Sequence, residues 1–222
     1  MTATHKFLFL DCDSTLSEIE GIDELAKLKG DQAFDDVKDL TNKAMDGEIA
    51  IDEIFTKRLE IIQPTRSDVD TVGQLYITHI EPTAAATIVA AQQRGWTVVI
   101  LSGGFTQIIS PLAEHLGVTH VEAVGLQFDE HDNYAGFDTD APTSRNGGKP
   151  EVIEQWLQKY PGALSVMVGD GVSDLETVET VDLFIGFGGF VSRPAVRNAS
   201  ENFVTSLDSI LPLLDTLDGS AV

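Results

Sequence analysis

Positive charge and cysteine are both scarce in this sequence. Its 222 residues carry 14 Lys and Arg against 36 Asp and Glu, a formal charge of −22 at pH 7. Nucleic-acid binding depends on Lys and Arg displacing condensed counterions, so a surface this acidic excludes nucleic-acid and anionic-membrane partners. The single cysteine, Cys12, leaves no internal disulfide framework and fits a reducing compartment. Long apolar runs are missing as well. Phe7 to Leu10 is interrupted by Asp11, too short for a signal-peptide core or a membrane span of about 20 residues. The expectation is a cytoplasmic monomer or homodimer. The acid excess also suits a salt-rich environment, where self-repulsion is screened. What is present is ordinary for a globular chain: 42% apolar and 23% charged residues, at a length that supports one large core with a smaller inserted lobe.

Short runs rich in Val, Ile and Phe alternate with helical patterns, which predicts a parallel sheet covered on both faces, a doubly wound α/β core of Rossmann-like type. The predicted strands are Phe7–Leu10, Thr97–Leu101, Leu164–Val168 and Leu183–Gly186, with a weaker one near Phe203–Thr205. Between them, Pro82 is placed in the first turn of a helix closed by Gly95, and a second helix runs over Phe105–Leu116 with Pro111 inside it. Glu122–Phe137 reads as a small β-hairpin around Asp132 and Asn133. From Ser17 to Ile80 there is no central strand. Amphipathic runs at Ile22–Leu28, Val37–Met45 and Ile51–Ile62 predict a helical lobe inserted into a core made of residues 1–16 and 81–222.

Chemistry-bearing residues collect at predicted strand ends, where open α/β sheets bind ligands. Asp11 and Asp13 follow the first strand. Alternation turns both carboxyls the same way, so one can attack as nucleophile while the other moves a proton; a plain helix cap uses the same residue types. Ser102-Gly103-Gly104 closes the second strand just before a helix, where a hydroxyl and free N–H groups suit a phosphate oxygen, although such composition also makes ordinary turns. Lys149 opens the predicted helix Glu151–Tyr160, placed to neutralise phosphate or lie in solvent. Asp170, in Gly169-Asp170-Gly171-Val172-Ser173-Asp174, adds a hard oxygen near Asp11 of the kind Mg²⁺ selects. As a lone segment it also reads as a structural turn or a calcium loop, but the closing glutamate of an EF-hand is missing. A dinucleotide fingerprint is absent, because Asp174 and Val191 stand where the third glycine of G-x-G-x-x-G belongs.

Taken in order, the two aspartates, the serine, the lysine and the final aspartate pair resemble the haloacid dehalogenase superfamily of phosphatases. Glu20-Gly21-Ile22-Asp23-Glu24-Leu25-Ala26, Ala44-Met45-Asp46-Gly47, Arg58-Leu59, Ile62-Gln63-Pro64 and Ile185-Gly186-Phe187-Gly188-Gly189 narrow the resemblance to its phosphoserine phosphatase branch. The resemblance implies a helical-bundle cap and Mg²⁺-dependent hydrolysis of O-phospho-L-serine through an aspartyl phosphate, the last step of serine biosynthesis. It assigns Asp11 as nucleophile and Asp13 as acid and base. The metal falls to Asp11, Asp170 and the backbone carbonyl of Asp13, with Asp174 as outer support. Glu20, Met45, Arg58, Ser102, Gly103, Lys149, Ser173 and Arg193 become substrate contacts. Departures from the family pattern fall at Ser173 (often Asn or Thr), Asp46 (often Gly or Glu) and Ile51 (usually Phe) and bear on substrate preference. Two other readings share the motifs: phosphotransfer to a second hydroxyl such as homoserine, and a receiver-like signalling phospho-acceptor. Asp13 and the segment 17–80 favour a hydrolase over the receiver.

Overall fold

A computed structural model describes residues 5–45 and 51–219, without the side chains of 42–45, 51 and 52. In chain order the elements are β1 (Lys6–Leu10), α1 (Gly21–Leu28), α2 (Asp31–Met45), α3 (Ile51–Ile62), α4 (Arg66–Thr78), α5 (Ala84–Gln93), β2 (Thr97–Phe105), α6 (Thr106–His115), β3 (His120–Val124), β4 (Leu126–Phe128), β5 (Tyr134–Phe137), α7 (Gly148–Lys159), β6 (Leu164–Gly169), α8 (Val172–Leu175), β7 (Leu183–Phe187), α9 (Pro194–Ala199), β8 (Asn202–Val204) and α10 (Leu211–Leu217). Six strands pair in the order β3-β2-β1-β6-β7-β8, every pair parallel. The strand period of two sorts the core into layers. Phe7 and Phe9 pack with Val152, Ile153 and Val196 beneath α7 and α9, whereas Leu8 and Leu10 join Ile88, Ile108 and Leu112 beneath α5 and α6. The expected α/β sheet covered on both faces is therefore present.

Helices α1–α4 lie in sequence between β1 and α5. The α4 helix begins with a capping box in which Thr65 Oγ1 accepts from the Asp68 amide and Asp68 accepts from the Thr65 amide. It then buries Val69, Val72 and Tyr76, a spacing that places all of them on one helical face. Gly73 brings α4 close to Ile108 and Pro111 of α6. Among the described residues no helix is long and apolar enough to cross a membrane.

The structure corrects several expectations. The segment Glu122–Phe137 is not one hairpin. His120–Val124 is the parallel edge strand beside β2, and only β4 and β5 form the antiparallel pair. Edge position leaves His120 exposed and Val121 to Ala123 half-buried, so the polar His120 and Glu122 alternate in sequence with the apolar Val121 and Ala123 and imitate a hairpin strand. Pro82 precedes the helix, with Thr83 as cap and α5 starting at Ala84. The α7 helix starts at Gly148, so Lys149 lies within its first turn, where Pro150 removes no needed hydrogen bond. Ser102 is not at a helix N-terminus. β2 continues to Phe105 before α6 begins, with a register shift between Leu101 and Phe105 against β3. Gly103 and Gly104 thus form a bulge in the strand.

Candidate active site

Because β2, β1 and β6 are neighbours, their carboxyl ends place Asp11, Ser102 and Asp170 together. Asp11 extends the pairing with β6 through its amide to Val168 O at 2.9 Å. The chain then coils tightly, with the Cys12 carbonyl accepting from the amides of Thr15, Leu16 and Ser17 and with Ser14 at φ 54°. This turn sends Cys12 into the core and leaves Asp13 facing the helices. Ser14 Oγ donates to Glu20 at 2.6 Å, and Thr15 Oγ1 donates to Asp170 at 3.3 Å.

Lys149 is buried with its Nζ 2.8 Å from Asp11 Oδ1 and 2.5 Å from Asp174 Oδ1. Burial lowers the pKa of the ammonium, but the two carboxylates outweigh it and raise the net value, so Lys149 stays charged. Burial, with Asp11 nearby, pushes the Asp174 carboxyl upward against the pull of Lys149. Asp174 Oδ2 also accepts from the Gly171 amide at 2.8 Å. Arg193 Nε donates to Asp170 at 2.9 Å, and the same side chain lies 3.6 Å from Glu20.

Asp11, Asp170 and Asp174 offer carboxylate oxygens within 4.8 Å of one another. All three are buried, and such a hard oxygen set suits a divalent cation. The Asp13 side chain is turned elsewhere, accepting from Tyr76 Oη at 2.5 Å and from the Gly21 amide at 3.2 Å. Burial, then the charges of Glu20 and Asp11, raise the Asp13 carboxyl well above its ordinary range, although both hydrogen bonds oppose this. A carboxyl whose pKa is raised holds its proton more firmly and suits a proton-donating role. Burial also raises Glu20, against its bond from Ser14.

These groups line a cavity of about 240 Å³. Among the residues singled out in the sequence, the cavity gathers Asp11, Asp13, Glu20, Arg58, Ser102, Gly103, Lys149, Asp170, Ser173 and Arg193. Asp174 is fully buried behind Lys149, and Ser173 stands exposed at the rim. The Nε of Arg58 is buried without a hydrogen-bond partner among the described residues, and burial lowers the guanidinium pKa against Asp23 and Glu20. The side chains of Met45 and Ile51, and all of Asp46, lie outside the described residues. Ile22, Phe55 and Phe105 supply an apolar wall; Ile22 stands in the Glu20–Ala26 motif, which gave it no role, and the other two stand in no motif. Phe55 had a signal, standing three residues before Arg58 and so on the same helical face. Tyr76 had none, since only tertiary packing carries it to Asp13.

Residues 8–179 match the haloacid dehalogenase-like hydrolase model. The chain belongs to that hydrolase family. Within it, the chain is 38% identical over 207 residues to a phosphoserine phosphatase of Bos taurus and 37% identical to that of Homo sapiens, each time covering 92% of this chain and 91% of the relative. A solved structure described as a phospho-aspartyl intermediate analogue of phosphoserine phosphatase superposes with a TM-score of 0.79 at 25% identity, over 94% of this chain and 98% of that one.

Proposed function

We infer that this hydrolase is a phosphoserine phosphatase, releasing phosphate from O-phospho-L-serine. The observation that carries the reading is the composition of the cavity around Asp11. Buried Asp11, paired with Lys149, shares it with Glu20 and with Arg58, whose Nε has no hydrogen-bond partner among the described residues. A guanidinium fork suits a carboxylate, and a carboxylate suits an ammonium, so the pair fits the amino-acid end of such a substrate. Residues 17–80 act as a cap presenting Glu20 and Arg58 to a core of residues 1–16 and 81–222. Met45, Ser173 and Arg193 complete the substrate contacts.

Asp11 attacks phosphorus while Asp13, acting as general acid, gives a proton to the departing serine oxygen. Asp13 then takes a proton from the water that hydrolyses the aspartyl phosphate. Ser102 Oγ and the Gly103 amide receive phosphoryl oxygens, and Lys149 offsets the repulsion between the phosphoryl group and Asp11. Asp11, Asp170 and the Asp13 carbonyl would hold Mg²⁺, with Asp174 steadying Lys149 behind them; the ion supplies electrostatic neutralisation of phosphoryl charge.

Phosphate release from L-phosphoserine, compared with phosphothreonine and a sugar phosphate, with and without Mg²⁺, tests the reading. Metal-dependent preference for phosphoserine is expected, and Asp11→Asn should abolish it. Preference for the sugar phosphate would overturn the roles of Glu20 and Arg58, and near-normal turnover by Asp11→Asn would remove the nucleophile.

A further inference from the structure

Tyr76 lies on the buried face of α4 with no exposed surface, yet its hydroxyl ends at the loop after β1. There it donates to Asp13 Oδ1 at 2.5 Å, while the Gly21 amide donates to Asp13 Oδ2 at 3.2 Å. The terminal torsion of an aspartate is soft, so a carboxyl held at one oxygen can swing. Donors on both oxygens fix its plane. We propose that Tyr76 is a positioning residue, orienting the Asp13 carboxyl toward the ester oxygen and then toward water. The proposal rests on the reading of Asp13 as proton carrier.

Three features favour this over simple core filling. A buried phenol needs a hydrogen-bond partner, but the residues around Tyr76 on its helix face, Val69 and Val72, are aliphatic; the hydroxyl is spent on the loop that carries the nucleophile. Gly21 makes room for it, since a Cβ at that position would lie 2.5 Å from Tyr76 Oη. The same glycine supplies the amide on Asp13 Oδ2, so one helix start and one tyrosine grip the carboxyl between them.

The chemistry that depends on the grip is balanced. An Asp11 oxygen bonds to phosphorus as the ester P–O bond breaks, and the ester oxygen keeps the electron pair and takes the Asp13 proton. A water oxygen then bonds to phosphorus, its proton passes to Asp13, and the Asp11–phosphorus bond breaks to free the carboxylate and phosphate. A misplacement of about 1 Å in such a group costs up to about a hundredfold in rate.

Tyr76→Phe, which keeps the ring and removes only the hydroxyl, is the test, with its fold checked by circular dichroism. For phosphoserine, kcat/KM should fall roughly tenfold, carried by kcat, with KM within about twofold. For p-nitrophenyl phosphate, whose leaving group departs without a proton, kcat/KM should change less than about twofold, because that ratio ends at leaving-group departure. Equal losses on both esters, a loss lying only in KM, or no loss overturns the proposal. A second comparison needs no aryl ester: Tyr76→Phe added to Asp13→Asn should cost nothing further, and a further tenfold fall would mean that Tyr76 acts elsewhere. If the wild-type protein prefers another alkyl phosphate, the phosphoserine reading fails, while the same comparisons on that ester still decide the role of Tyr76.

Discussion

Lys149 Nζ bridges Asp11 and Asp174 at 2.8 and 2.5 Å, with side-chain exposures of 5%, 10% and 0%. Removing one member of a buried ionic group strands the others without solvent. Lys149→Ala should therefore destabilise the fold by about 3–5 kcal/mol, measured by urea denaturation, and turnover should fall by more than about a hundredfold. A variant as stable as the parent would mean that the carboxyls shed their charge at no cost, and the ion-pair account would fail.

The helix that carries Lys149 is pinned by a backbone contact. A Cβ on Gly148 would run into the carbonyl of Pro142 and the amide of Thr143 in the tight turn Pro142–Ser144. Neither atom is a flexible side-chain end. Gly148→Ala must shift the start of α7, and the next residue is Lys149. The expected result is about 1–3 kcal/mol of destabilisation, typical of overpacking, together with a loss of kcat greater than the stability change alone explains. Unchanged kcat would show that Lys149 tolerates displacement of its helix.

Much of this was legible in the sequence, for physical reasons. Buried central strands are continuous apolar runs, so β1, β2, β6 and β7 announced themselves, and the reactive residues follow because ligands collect beyond those strand ends. β3 was hidden because an edge strand alternates as a hairpin strand does. α4 was hidden because Asp68, Asp70 and Thr71 dilute its apolar spacing, although Thr65 and Asp68 marked its start. The bulge at Gly103 and Gly104 and the reach of Tyr76 to Asp13 depend on register and packing, which no local pattern encodes.

Gly21 and Tyr76 should behave as a coupled pair. Gly21→Ala places a methyl group 2.5 Å from the phenolic oxygen and should cost about 1–3 kcal/mol. Tyr76→Phe removes the atom it strikes, so the double variant should recover part of that loss, a coupling of about 0.5–3 kcal/mol for residues in contact. Thermal or urea unfolding of the four proteins measures it. Strict additivity would mean that the two side chains do not share this space.

Acid should weaken the cap of α4. Asp68 is lowered below its ordinary value of 3.8, because hydrogen bonds from Lys29 and Thr65 outweigh partial burial. A folded-state pKa below the unfolded one gives stability that is complete above the unfolded value and lost as pH falls through the folded value. Asp68→Asn should accordingly be less stable than the parent near neutrality, by about 0.5–2 kcal/mol as for a lost cap, and the gap should close below the ordinary carboxylate range. A gap that persists unchanged in acid would assign the loss to packing.

Salt should stabilise this protein. With 36 acidic against 14 basic residues, carboxylates far outnumber cations, and the net −22 repels itself. The exposed pairs that do form, such as Lys57 with Glu53 and Arg66 with Asp132, are each worth little and are themselves weakened by salt. The two effects oppose one another, and the repulsion of the acidic excess is the larger. Raising salt from about 0.1 M to about 1 M shortens the screening length from about 10 Å to about 3 Å. At this chain length, each 1 kcal/mol gained moves the thermal midpoint by about 2–4 °C. The midpoint should rise with NaCl and KCl alike at fixed pH, since screening does not distinguish the cations. A rise with only one of them would indicate specific ion binding, and a fall would mean that the local ion pairs outweigh the repulsion.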